Sequence, residues 1–266
     1  MKKENDMGTT AVLHAFPPRT GTSRLLSVDA CTPHGHASAM CQTCGLRELC
    51  LPAGLSPTEM ERLDGIVNRK RSMKRGNYLY RGGSELQSLY AVRTGFLKTC
   101  VLHDDGREQV AGFHMMGELL GMDAIGSGKH VSDAIALEDS EVCEIPFGEF
   151  ERLSRDLPTL QQHFHRIMSR EIARDYGVML LLGSMRAEER LATFLLNLSQ
   201  RFAARGYSST QFILRMTREE IGSYLGLKLE TVSRAFSHFQ SEDIVAVQNK
   251  NIEIKDIERL RALVGH

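Results

Sequence analysis

The chain has no net charge: 33 Lys and Arg balance 33 Asp and Glu over 266 residues. That balance excludes a uniformly basic surface, so a nucleic-acid partner must meet basic residues gathered locally. No apolar run approaches the roughly 18–20 residues that a bilayer-spanning helix needs, and no membrane partner is expected. The opening segment Met1–Phe16 holds lysines but no apolar stretch of useful length, so it does not read as a secretion signal. A cytoplasmic protein is expected. Phosphate-cradling motifs are missing too: no Gly-x-Gly-x-x-Gly follows a strand pattern, and no Walker sequence occurs. His103-Asp104-Asp105 falls in a turn with no nucleophile pattern beside it, and no enzyme activity is expected. What is present is ordinary for a soluble globular protein, 42% hydrophobic and 25% charged, and long enough for two domains.

Cysteine usage is less ordinary. Three of the six cysteines lie in one short run, Cys41-x2-Cys44-x5-Cys50. In a reducing compartment such a run argues for ligands or free thiols rather than disulfides. Thiolates at this density bind a metal or an iron–sulfur cluster, or carry redox chemistry. Tetrahedral zinc also accepts four thiolates. Cys31, Cys100 and Cys143 are all candidates for a fourth ligand, and spacing alone does not choose among them.

Residues 1–40 are aperiodic, with Pro17-Pro18, scattered Ser and Thr, and His34-Gly35-His36. They read as a disordered tail. The cysteine loop takes up 41–53. A helix is expected from Ser56 to Asn68, with Ser56 as N-cap, Pro57 at N1 and Glu59 completing a capping box. From Arg69 to Pro146 the pattern changes to that of strands. Short apolar runs at 78–80, 88–92, 95–102, 108–113, 134–137 and 141–145 alternate with turn glycines, as in a compact all-β barrel or sandwich. This β domain is expected over 54–157.

A long helix, about 159–182, is expected within the segment 158–185. His165, Met168, Ile172, Asp175, Met179 and Leu182 recur at intervals of 3, 4, 3, 4 and 3, a heptad seam suited to a second copy of the chain. The adjoining face, with Leu160, Phe164, Ile167, Val178 and Leu181, is expected to pack on the β domain. Asp175 is the odd member of the seam. In a parallel pair it faces its own copy, and two carboxylates at low dielectric repel. Pairing is then conditional, unless Asp175 turns to solvent or pairs with Arg170 or Arg174.

The remaining segment, 186–266, carries a reading head. Ala187–Arg205 is amphipathic through Leu191, Phe194, Leu195, Leu198 and Phe202, with Gly206 beyond its end. Thr217-Arg-Glu-Glu220 is a capping box that opens a short helix. Gly226 makes a turn, and Leu229–Gln240 forms a second helix with Val232, Ala235, Phe236 and Phe239 inward. This is a helix-turn-helix, and 244–254 forms a hairpin wing. Glu230, Ser233 and Arg234 face outward near the start of the second helix. Such positions reach base edges in the major groove, where Arg suits guanine and Glu suits the cytosine amino group. The plainer alternative is a Glu230–Arg234 ion pair on a solvated face. Between 201 and 240, Arg201, Arg205, Arg215, Arg218, Lys228 and Arg234 stand against Glu219, Glu220 and Glu230; six minus three leaves a mild +3.

Six blocks carry a family resemblance: CQTCGLRELCLP, SLYAVRTGFLKT, AGFHMMGELLGMDAIGSGKH, VCEIPF, AEERLATFLLNLSQRFAARG and MTREEIGSYLGLKLETVSRAFSHFQ. Through them the chain, from Cys41 to His266, resembles the CRP/FNR family of bacterial transcription regulators, and within it the oxygen-sensing branch. The resemblance implies an α+β chain: an N-terminal cyclic-nucleotide-binding-like β-roll, a long dimerisation helix and a C-terminal winged helix-turn-helix. It implies a [4Fe–4S] cluster on Cys41, Cys44, Cys50 and Cys143. It also implies a homodimer while the cluster is intact, dissociation on exposure to oxygen, and contact with RNA polymerase. Glu230, Ser233 and Arg234 match base-reading positions, which implies an inverted repeat of TTGAT-type half-sites. Asp175 matches a seam acid of the oxygen sensors. Two departures stand out. Members that bind cyclic AMP follow Gly-Glu-Leu with an Arg that clamps the phosphate. Here Gly117-Glu118-Leu119 leads to Gly126-Ser-Gly-Lys-His130 without that Arg, so no cyclic nucleotide is expected. Lys228 replaces a capping Ser or Thr, which costs the second helix about 1 kcal/mol. A zinc- or thiol-dependent regulator of the same family is the alternative.

Overall fold

Two antiparallel sheets and a long helix position everything that follows. The computed structural model describes residues 41–67, 69–102 and 106–264. The expected tail over 1–40, with Cys31 and His34-Gly35-His36, lies outside the described residues, as does the turn at 103–105.

Helix α1 (Pro57–Ile66) begins as its capping box dictates: Ser56 Oγ accepts from Glu59 N at 3.3 Å, and Glu59 Oε2 accepts from Ser56 N at 2.8 Å. It stops two residues short of the expected Asn68. The β domain then uses β1 (Arg69–Met73), β2 (Tyr78–Tyr80), β3 (Ser88–Thr94), β4 (Phe96–Leu102), β5 (Glu108–Met115), β6 (Leu119–Leu120), β7 (Asp133–Ala136) and β8 (Ser140–Pro146). These form two four-stranded sheets, ordered β1-β8-β3-β6 and β2-β7-β4-β5. Leu79, Val92, Leu97, Leu120, Ala134 and Val142 are buried among them. Gly95 turns β3 into β4 at φ +88°, where a Cβ would stand 2.2 Å from Ser140 Oγ, so only glycine makes this turn.

Helix α2 (Phe147–Asp156) buries Phe150 and Leu153. Helix α3 (Pro158–Ser184) buries Leu160, His163, Phe164 and Ile167 in its first turns and Leu181 near its end. Among the described residues no helix is long and apolar enough to cross a membrane.

The C-terminal part runs α4 (Ala187–Ala203), β9 (Gln211–Ile213), α5 (Arg218–Leu225), α6 (Leu229–Ser241), β10 (Val245–Gln248), β11 (Asn251–Ile254) and α7 (Ile257–Ala262). The wing has three strands, ordered β10-β11-β9, rather than the two of the expected hairpin. The box at Thr217 forms as the sequence indicates: Thr217 Oγ1 accepts from Glu220 N at 3.1 Å, and Glu220 Oε2 accepts from Thr217 N at 2.7 Å. Gly226 closes α5 in the left-handed region, and α6 points Val232, Ala235, Phe236 and Phe239 into the core. That core continues into the β domain. Phe96, Val110, Phe113 and Met115 belong to the same buried cluster as Leu191, Phe194 and Leu195.

Candidate cysteine pocket and nucleic-acid interface

The cysteine loop is a chain of turns rather than a regular element. Cys41–Thr43 makes one 3-10 turn, Cys44 N donates to Cys41 O at 3.2 Å, and Ala53 N donates to Cys50 O at 3.1 Å. Two outside groups fix it. Asp64 of α1 accepts from Cys41 N at 2.6 Å. His163 of α3 lies 3.1 Å from the Cys50 carbonyl through Nε2. A carbonyl only accepts, so the imidazole proton is on Nε2. Buried Leu51 anchors the end of the loop.

Cys143 lies in mid-β8, between Lys70 of β1 and Ala91 of β3. Cys41, Cys44, Cys50 and Cys143 line one pocket, closed by Leu63, Val92 and Ile145. Cys100, the other described cysteine, is buried in β4 and takes no part in the pocket. Burial raises the Cys50 thiol to about 12, and the neighbouring Cys143 and Cys44 add to the shift. Burial also pushes Cys41 and Cys143 up; at Cys41 the Asp64 carboxylate adds to it, and at Cys143 Arg93 opposes it. Thiolates in such a pocket repel one another and lack water, so they persist only around a cationic centre. As they stand, no three or more His, Cys, Asp or Glu among the described residues are arranged to hold a metal ion.

The reading face is open. Glu230, Ser233 and Arg234 are exposed on α6. Among the described residues no ion pair joins Glu230 to Arg234. Lys228 makes no capping hydrogen bond, and Leu229 is 46% exposed beside it. The +3 bias of the sequence is not a DNA footprint. Arg201 and Arg205 are bound to Glu118, Arg215 pairs with Glu138 at 3.2 Å, and Arg218 stacks 3.3 Å from the Phe236 ring centre. Of the six basic residues, Lys228, at the start of the reading helix, and Arg234, on it, make no ion pair among the described residues.

The α3 seam is also open. His165, Ile172, Asp175, Met179 and Leu182 are exposed and Met168 is half-buried. Tyr176 and Leu180, both above 60% exposed, widen the apolar strip. Asp175 turns to solvent. Arg174 does not pair with it but with Glu171, and faces Glu118 at 3.9 Å.

One buried charge cluster is absent from the sequence reading. Glu118 accepts from Arg201 Nε and Nη2 at 3.1 and 2.6 Å and from Arg205 Nη2 at 2.7 Å. Met115 N also donates to it at 3.1 Å. Burial favours the neutral acid, but Arg201, Arg174 and Arg205 outweigh it and hold the carboxyl at about 2. The partners are 83 and 87 residues apart in the chain, beyond the reach of periodicity. The only signal was the Gly-Glu-Leu motif, whose Glu had no assigned partner.

A β-roll, a long helix and a winged helix-turn-helix with an open reading face define a DNA-binding transcription regulator. Residues 189–263 match the Crp-like helix-turn-helix domain, and residues 70–156 match the cyclic nucleotide-binding domain. The transcriptional regulatory protein btr of Bordetella pertussis is 49% identical over 86% of this chain and 94% of its own. The fumarate and nitrate reduction regulatory protein of Escherichia coli is 47% identical over 87% of this chain and 93% of its own. The transcriptional activator protein Anr of Pseudomonas protegens is 49% identical over 86% of this chain and 94% of its own. Among solved structures, FixK2 from Bradyrhizobium japonicum aligns with a TM-score of 0.68 at 30% identity, over 73% of this chain and 96% of its own. The chain belongs to the CRP/FNR family of transcription regulators, and is of the FNR/Anr type.

Proposed function

We propose that this chain is an oxygen-responsive regulator with a [4Fe–4S] cluster on Cys41, Cys44, Cys50 and Cys143. It pairs through the α3 seam while that cluster is intact and reads inverted TTGAT-type half-sites through Glu230, Ser233 and Arg234. The observation that carries the reading is the single apolar pocket lined by four cysteines from two distant segments. The similarity to the fumarate and nitrate reduction regulatory protein supports an iron–sulfur cluster there. Zinc, which takes four sulfurs at about 2.3 Å around one ion, is the alternative.

When bound, the cluster supplies an oxygen-labile link between the loop and β8. The protein's own residues turn that link into a signal. Asp64 and His163 hold the two ends of the loop, and His163 is on α3. A fixed loop therefore fixes the base of α3. The seam, Met168, Ile172, Met179 and Leu182, then buries apolar area against its copy and outweighs the Asp175 repulsion. With the loop released, the repulsion prevails and the subunits part. Paired chains present two α6 helices to half-sites about one helical turn apart. We include contact with RNA polymerase and a cytoplasmic location in this reading, as the FNR/Anr similarity suggests. No cyclic nucleotide is part of the proposal: Glu118 is taken by arginines, and no Arg occurs at 126–130.

The test is the visible spectrum and metal content of protein purified without air. A broad iron–sulfur absorption with stoichiometric iron and sulfide, lost on exposure to air, is expected. Colourless protein with bound zinc contradicts the proposal and favours the zinc-dependent reading.

A further inference from the structure

Glu118 stands where three parts of the molecule meet. Its turn belongs to the β domain: Gly117 N donates to Val92 O at 2.8 Å, and Val92 N donates to Glu118 O at 2.9 Å. Val92 lines the cysteine pocket. The cysteine loop also touches this turn directly, since a Cβ on Gly117 would stand 2.9 Å from Leu49 Cβ. On its other side the Glu118 carboxylate holds Arg201 of α4, the helix that opens the reading domain, and Arg205 of the turn that follows it, and faces Arg174 of α3. These two arginines also donate to the backbone at the end of β5 and in the turn after it, Arg201 to Phe113 O and Arg205 to Met116 O, both at 2.6 Å.

This geometry is directional. Both carboxylate oxygens are used, by guanidinium groups whose planar donors fix angle as well as distance. The charges are unequal: Arg174, Arg201 and Arg205 face Glu118 and Glu171. Without the Glu118 charge, three guanidiniums would share one carboxylate, and their repulsion would separate α4 from the β domain. The shared apolar core of Phe113, Met115 and Phe194 and two further polar links also join the parts, without fixing angle as the guanidiniums do. Val110 N donates to Ser223 Oγ at 2.8 Å, and Lys98 bridges Glu108 at 2.5 Å and Glu220 at 3.2 Å.

We propose that Glu118 is a positioning residue that sets the reading domain on the β domain and the dimer helix. Through it, the packing of the cysteine loop on Gly117 reaches α6. The nucleotide-binding-like module thus acts as a joint between protein elements. The inference rests on the proposed sensor for its signal, though not for its geometry.

The test uses full-length, air-free Glu118→Gln, Arg201→Gln and the double variant beside the parent. Iron content, sedimentation, amide hydrogen exchange and affinity for an inverted TTGAT duplex are measured. Glu118→Gln is expected to keep parental iron and dimerisation. Exchange should rise at 108–113 and 218–225 while β3 and β8 stay protected. Affinity should fall by about tenfold or more in each single variant, and the double variant should lose little beyond that, as for one shared interaction. Parental affinity with parental exchange overturns the proposal, and so does a loss that merely follows lost iron or lost dimer. Should Glu118→Gln fail to fold, Arg201→Gln carries the same expectations and the same refutation. If the parent itself holds no iron but the variants still loosen the reading domain, the sensor reading fails and the positioning role stands.

Discussion

Glu118 and Asp175 are both acids beside arginines, yet their surroundings give them opposite tasks. Glu118 is clasped by arginines and held at about 2, against an ordinary 4.5. Its folded-state value lies below its unfolded one. The stabilisation, roughly 3 kcal/mol, is therefore fully present above about pH 4.5 and fades as pH falls toward 2. Denaturant midpoints of wild type should drop more steeply across that window than those of Glu118→Gln, and equal slopes contradict the assignment. Asp175 is exposed on the open seam and, among the described residues, makes no ion pair. Removing it should favour pairing: Asp175→Ala, formed without air, should sediment as a dimer after air has dissociated the parent. Dissociation as ready as in wild type shows that another group opposes pairing.

The elements show where sequence signals were strong. Capping boxes at Ser56 and Thr217, the left-handed Gly226 and the inward residues of α6 were legible because each is a local pattern with a local cause. Strand β1, Arg-Lys-Arg-Ser-Met, was not legible. It is an edge strand paired only with β8, and its polar sequence has no alternation to read. Helix α2 follows β8 directly and holds only three large apolar residues, Phe147, Phe150 and Leu153. The fourth cysteine was not selected by spacing either. A strand pairing nearly a hundred residues away from the loop brings Cys143 to the pocket, and only the family resemblance pointed to it. Arg201 and Arg205 belong to the mild basic bias of 201–240, but a sequence shows charge and not its partner. Two substitutions test the reading head. Lys228→Thr supplies the missing cap and should stabilise α6 by about 1 kcal/mol in thermal unfolding; an unchanged midpoint means that the cap is not limiting. Gly222→Ala puts a Cβ 2.6 Å from Leu227 O at the turn between the two helices. It should cost roughly 1–3 kcal/mol and weaken operator binding, and a neutral result contradicts the close packing.

On the scale of the whole molecule, one route joins the parts. The cysteine loop meets α3 at His163 and the β5–β6 turn at Gly117. That turn meets α4 at Glu118, and α4 shares its core with α5 and α6. In the proposed mechanism, a change at the loop reaches both α3 and α6 through these packed, hydrogen-bonded contacts, as a two-state element biased at one end requires. The most direct measurement is made on Cys143→Ser protein prepared under strict anoxia. Iron bound per chain and affinity for an inverted TTGAT duplex are compared with the parent. The account predicts that both fall together. Full iron content with parental grip on the duplex would contradict it, because the loop and β8 would then not share one centre.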